Sequence, residues 1–117
     1  MQIGLLIDGE TITATLADNP SARAFADLLP LSLSVRDFHG TEKVADLPAE
    51  LSTDQAPAGS TPTAGDIAYY APWGNLAMFY EDFAYSPGLV LLGRLDDGPA
   101  ALTGLPDDAL VEVTVLD

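Results

Sequence analysis

The chain has no cysteine, one histidine and only four basic residues, Arg23, Arg36, Lys43 and Arg94. Without cysteine there are no disulfides, no thiolate zinc sites and no cysteine nucleophile. One imidazole, His39, cannot supply a two-histidine metal site, and no serine or acid neighbour makes a catalytic triad visible around it. Four bases against eighteen acids leave a formal charge of −14. No basic stripe is available to displace counterions from nucleic acid or to meet an anionic membrane, so neither is expected as a partner. No apolar run approaches the roughly 18 residues of a membrane span. The start, Met1-Gln2-Ile3-Gly4, lacks the basic region of a signal peptide, and a cytoplasmic location is the expectation. The acids are scattered, which fits an acidic protein kept soluble by self-repulsion better than one with a dedicated basic partner or metal.

What the chain does have is aromatic residues in one place. Between Gly65 and Gly88 lie seven of the nine: Tyr69, Tyr70, Trp73, Phe79, Tyr80, Phe83 and Tyr85. Two short strands are expected there, Asp66–Ala71 and Leu76–Tyr80, joined by the breaker run Pro72-Trp73-Gly74-Asn75, where Pro72 cannot donate to a ladder. A tryptophan at a turn tip either folds back onto the core or faces a ligand, and composition does not choose between them. The 117 residues make one domain, 1–117, long enough to bury about two thirds of the unfolded surface.

Along the chain, Ile3, Leu5 and Ile7 alternate, Asp8-Gly9 interrupts, and Ile12, Ala14 and Leu16 alternate against threonines. A two-residue Asp-Gly loop suits a type I′ hairpin, and pairing Ile7 with Glu10 puts both apolar sets on one face. Asp18-Asn19-Pro20 starts a helix, with Ala22, Phe25, Ala26 and Leu29 on one stripe before Pro30 ends it. Leu31, Leu33 and Val35 mark a third strand. From Asp37 the alternation fails and a long irregular stretch follows Phe38-His39-Gly40, with Ser52–Ala64 as a surface excursion; within it Glu42-Lys43 and Leu47 suggest a short extended piece that packs. Leu89–Leu92 reads as a strand buried on both faces, Pro99–Thr103 as a possible helical turn, and Ala109–Leu116 as a last strand. Six or seven short strands with regular turns favour a mainly β sandwich or closed barrel, with Leu5, Ile12, Leu33 and Val113 inside.

The candidates for chemistry are few. The adjacent acid pairs Glu81-Asp82, Asp96-Asp97 and Asp107-Asp108 are ordinary turn residues, and a glycosidase pair would need carboxylates facing one cleft. Neither Pro72-Trp73-Gly74 nor Gly93-Arg94-Leu95 is a phosphate loop. The aromatic cluster is the one concentration able to line a pocket, with core packing as its equal alternative.

At this point the residues resemble the cyclophilin-like fold. Gly65–Tyr80 followed by Val90-Leu91-Leu92-Gly93-Arg94-Leu95-Asp96-Asp97-Gly98 has its order of a glycine-led strand, a turn, an aromatic strand and a valine-to-glycine segment ending in Gly-basic-aliphatic. More narrowly, Asp37–Lys43, Pro72–Tyr80 with Phe83, and Tyr85–Gly93 are similar to small bacterial cyclophilin-like domain proteins. The resemblance implies a closed antiparallel eight-strand β-barrel with one or two short helices and carries no settled activity. In the isomerases of the wider fold the catalytic arginine follows a Phe-His pair; here Phe38 and His39 match and Gly40 stands in its place. Their pocket tryptophan and histidine fall on Phe83 and Leu89, and their glutamine-phenylalanine pair falls near Met78 and Phe79. The resemblance thus implies that the apolar part of a proline pocket survives without its polar catalytic part.

The expectation is a small or extended, peptide-like ligand held in an aromatic pocket by Tyr70, Trp73, Asn75, Met78, Phe79 and Phe83, with Phe38 on the rim. Large aromatic surfaces with polar tips suit such a site. No metal and no cofactor are expected. The enzymatic alternative is a divergent peptidyl-prolyl isomerase with Arg36 as its one stand-in cation. A third reading is a structural or regulatory module acting through a partner protein.

Overall fold

The computed structural model describes residues 1–116. In chain order its elements are β1 (Gln2–Ile7), β2 (Glu10–Leu16), α1 (Pro20–Asp27), β3 (Leu31–Phe38), β4 (Glu42–Asp46), β5 (Gly59–Ser60), β6 (Asp66–Tyr70), β7 (Asn75–Phe79), β8 (Ser86–Pro87), β9 (Leu89–Leu95), α2 (Ala100–Thr103) and β10 (Ala109–Leu116). Eight strands close into an antiparallel barrel in the order β1-β10-β3-β4-β7-β6-β9-β2, and β5 pairs only with β8, as a two-stranded flap. Closure leaves the barrel itself without free strand edges. Among the described residues no helix is long and apolar enough to cross a membrane.

The first hairpin follows from its turn. Asp8 and Gly9 both take positive φ, 51° and 83°, and Ile7 pairs with Glu10, Leu5 with Ile12 and Ile3 with Ala14. Leu5, Leu33 and Val113 are buried and Ile12 packs against the same core, so the alternating residues of β1, β2, β3 and β10 fill the barrel. Helix α1 begins as its residues require: the Asn19 side chain accepts the Ala22 N–H at 2.8 Å and Pro20 takes the first turn. Its stripe buries Ala22 and Phe25 against the barrel, near β9. Burying a side chain like Phe25 is worth about 1.5–3 kcal/mol.

Two segments differ from the sequence expectation. The chain after Asp37 is not irregular: β3 runs on to Phe38, turns through His39 and Gly40, and returns as β4, with Phe38 opposite Glu42. Its alternation is hidden because Glu42, Lys43, Val44 and Ala45 are all buried. One face of β4 meets the barrel core; the other meets a second apolar cluster outside it, formed by Val44, Ala68, Ala77, Phe79 and Leu89. The Ser52–Ala64 excursion likewise carries β5, which ties it to β8. This second cluster is the floor of the site.

Candidate ligand cleft

The floor exists because β4, β6, β7 and β9 carry apolar residues on the face turned away from the barrel. Across it, Val44 pairs with Ala77, Ala77 with Ala68, and Ala68 with Leu91; at one end Glu42 pairs with Phe79, and at the other Asn75 pairs with Tyr70 and Tyr70 with Leu89. Of these residues Glu42, Val44, Tyr70, Asn75, Phe79 and Leu89 line one side of a hollow. The walls come from three other segments. Phe38 stands at the end of β3, Trp73 at the β6–β7 turn, and Phe83, Tyr85, Ser86 and Pro87 on the segment that leads into and forms β8.

The resulting cleft has a volume of about 260 Å³. Ligand pockets commonly measure about 300–1,000 Å³, so this one suits a single ring or one side chain. Trp73 is 60% exposed, and Phe38 and Tyr70 meet it edge-on at centroid distances of 5.4 and 5.2 Å. Its turn is held by hydrogen bonds from the Trp73 and Gly74 N–H groups to the Tyr70 carbonyl, 3.2 and 2.9 Å. The aromatic centre of the sequence therefore divides. Tyr69 enters the barrel, where its hydroxyl accepts the Leu51 N–H at 3.2 Å, while Tyr70, Trp73, Phe79, Phe83 and Tyr85 line the cleft.

Of the residues expected at the site, Phe38, Tyr70, Trp73, Asn75, Phe79 and Phe83 are brought together. Met78 is not. Neighbours on a strand face opposite ways, so with Asn75 and Phe79 outward Met78 points inward, fully buried in the barrel core. Arg36 also stays out of the lining. It shares the outward face of β3 with Phe38, but its guanidinium lies 3.6 Å from Asp46. Arg94 is engaged elsewhere: it bonds Asp66 at 2.5 Å, Thr63 at 2.9 Å and the Ala64 carbonyl at 3.0 Å, tying down the entry to β6. Exposed His39 packs edge-on against Phe38 at 4.1 Å.

The sequence reading missed Glu42, Val44, Tyr85, Ser86, Pro87 and Leu89 in the lining. Leu89 carried a signal, as the position that corresponds to the isomerases' pocket histidine. Glu42 matters most chemically. It is only 8% exposed, and burial, with Asp37 as a second cause, pushes its carboxyl up to about 7. Asn75 is buried too, and its Oδ1 has no hydrogen-bond partner.

A separate polar network fixes the turn that presents Phe38 and Glu42. The Asp37 carboxylate accepts the Tyr80 hydroxyl and the Gly40 N–H (2.9 Å), and lies 3.4 Å from Lys43. Lys43 also donates to the Leu105 carbonyl at 2.7 Å. The Tyr80 bond above all holds Asp37 below the usual carboxylate range, and the same bond pushes Tyr80 up to about 12. Among the described residues no three His, Asp or Glu side chains gather as metal ligands do.

The fold has solved counterparts. The solution structure of a hypothetical protein from Archaeoglobus fulgidus superposes with a TM-score of 0.72 at 19% identity, covering 97% of this chain and 93% of that one. At that identity the likeness speaks to fold alone. No curated protein matches the chain. The model of the cyclophilin-like family matches residues 5–115, nearly the whole sequence, and the chain belongs to that family.

Proposed function

We propose that this protein is a cytoplasmic binding module whose cleft takes a small molecule, or one side chain of an extended peptide, without isomerising proline. The observation that carries this reading is the hollow outside the barrel, floored by Val44, Phe79 and Leu89 and walled by exposed Trp73, Phe83 and Tyr85. Burying an exposed aromatic wall favours a ligand by about 25 cal/mol for each Å² of apolar surface removed from water.

Isomerisation asks for more. Amide resonance sets a barrier of about 20 kcal/mol, and lowering it needs a donor placed to favour the twisted amide over the planar one. An apolar cup alone binds both states alike and gives affinity without rate. The test is titration of apolar fragments and proline-containing peptides, followed through Trp73 fluorescence. Trp73→Ala should weaken binding by roughly 2 kcal/mol, as hot-spot aromatics do. Its effect on stability should stay within about 1 kcal/mol, because the ring is mostly in water. A large stability loss with no binding phenotype would make Trp73 a structural residue.

The second reading, a divergent isomerase, draws on the position of Arg36 two residues before Phe38 on one face of β3. A proline-peptide isomerisation assay separates the two. Negligible rate acceleration is expected; substantial activity that disappears in Arg36→Ala would put the enzyme first.

A further inference from the structure

Two side chains of the cleft, Glu42 and Asn75, carry acceptor oxygens with no hydrogen-bond partner among the described residues. Glu42 is the only charged residue in the lining, and among the described residues no hydrogen bond or ion pair offsets the burial of its carboxyl. At the other end of the floor the Asn75 Oδ1 is buried with no hydrogen-bond partner. An acceptor left unpaired in a cleft is destabilising, and a ligand that supplies the donor recovers that cost. Around these acceptors stand aromatic rings, which attract a cation to their faces and repel an anion. The whole molecule, at −14, adds a field of the same sign.

We propose that the ligand of this cleft is a small organic ammonium ion, its N–H groups donating to Glu42, its carbon body lying among Phe38, Trp73 and Phe79, and a second donor meeting Asn75. The inference rests on the binding reading above and narrows it to one chemical class. A neutral apolar ligand would leave both acceptors unpaired, and a carboxylate ligand would meet Glu42 with like charge. A free amine and the lysine side chain of a peptide share this chemistry, and the cleft volume of about 260 Å³ admits either.

The test is calorimetric titration of the full chain at about pH 8.5, above the Glu42 value of about 7. The probes are tyramine, with an ammonium and a phenol; tyrosol, its neutral alcohol counterpart; phenethylamine, which lacks the phenol; and Nα-acetyl-lysine amide. Tyramine should bind roughly tenfold or more tighter than tyrosol, the worth of one charge-assisted bond, and somewhat tighter than phenethylamine. Glu42→Gln should remove most of the preference for tyramine over tyrosol. Protonating Glu42 in the wild type at about pH 5.5 should do the same, so the result does not hang on one variant folding. Tighter binding of the lysine derivative than of tyramine would assign the cation to a peptide; the reverse assigns it to a free amine. Equal affinity for tyramine and tyrosol, with both lost in Trp73→Ala, would overturn the ammonium assignment and leave the cleft a binding site. No binding of these probes, nor of apolar fragments and peptides, would overturn both.

Discussion

Glu42 ends up buried because Phe38 and Phe79 flank it on neighbouring strands and the flap segment stands over it. Its carboxyl binds a proton more tightly in the folded chain, near pH 7, than at its ordinary value of 4.5. Below about pH 4.5 both folded and unfolded chains hold the proton, and its contribution to stability is fully present. As pH rises through 7 the folded state must charge the buried group, and that contribution is lost. Full linkage gives about 3 kcal/mol, and roughly 2 kcal/mol is expected because the cleft opens to water. The titratable groups around it are Asp37, Lys43 and Tyr80 behind β4 and Tyr70 and Tyr85 in the cleft, all of which remain in Glu42→Gln. Urea unfolding should therefore find the variant equal to wild type near pH 4.5 and more stable by roughly 2 kcal/mol near pH 8.5. A difference that does not change with pH would remove burial of the charge as the cause. At this scale the sequence was informative where chemistry was bulky. Trp73, Phe79 and Phe83 marked a candidate cleft with core packing as its equal alternative, whereas Glu42 was legible only as part of a packed segment and not as a cleft residue, because the place of a buried polar residue depends on partners distant in sequence. Met78 failed for a simpler reason: without the parity of β7, adjacent residues cannot be assigned to faces.

Elements with one wet face were legible in advance. The strands β1, β2, β3 and β10 alternate, and the Asp8-Gly9 turn fixes the register of the first pair. The strand β4 was legible only as a short extended piece that packs, since it is buried on both faces, and the β5–β8 flap was not, having two residues a side, too few to show a period. Gly59 is what lets the flap form. A Cβ there would lie 2.5 Å from the Ser86 carbonyl oxygen and 2.7 Å from the Tyr85 hydroxyl. Gly59→Ala therefore forces apart the segment that carries Tyr85, Ser86 and Pro87 to the cleft. Overpacking of this kind costs about 1–3 kcal/mol. With so few bonds holding it, the flap should lift in preference to distorting the barrel. Hydrogen exchange should quicken at Gly88, whose N–H bonds the Ala58 carbonyl at 2.8 Å, and at Phe83, whose N–H bonds Pro62 at 3.2 Å. Amides of β1, β2 and β10 should keep their protection, and ligand affinity should fall. Unchanged exchange at Gly88 and Phe83 would mean that the flap yields without opening.

For the molecule as a whole, the barrel was legible mainly through family resemblance, since alternation alone left sandwich and barrel open. Net charge was legible from the first count and has its own consequence. Each of the four bases already faces an acid: Arg23 with Asp18, Arg36 with Asp46, Lys43 with Asp37 and Arg94 with Asp66. The excess of −14 thus has no internal counter-charge. The Cα radius of gyration is 12.6 Å, close to the screening length of about 10 Å at 0.1 M salt. At low ionic strength acids on opposite sides of the barrel therefore repel one another, and in physiological salt mainly neighbours do. The unfolded chain spreads the same charges over a radius about three times as large, so screening relieves the folded state more. Salt also weakens the ion pairs, but exposed pairs are worth only about 0–1 kcal/mol each, and Lys43 is buried away from solvent. Repulsion should win. Raising sodium chloride from about 10 to 300 mM should stabilise the protein by roughly 1–2 kcal/mol, a rise in Tm of about 4–8 °C. Most of the change should come below about 150 mM, where the screening length shortens fastest. A flat or falling Tm over that range would mean that the four ion pairs outweigh the repulsion.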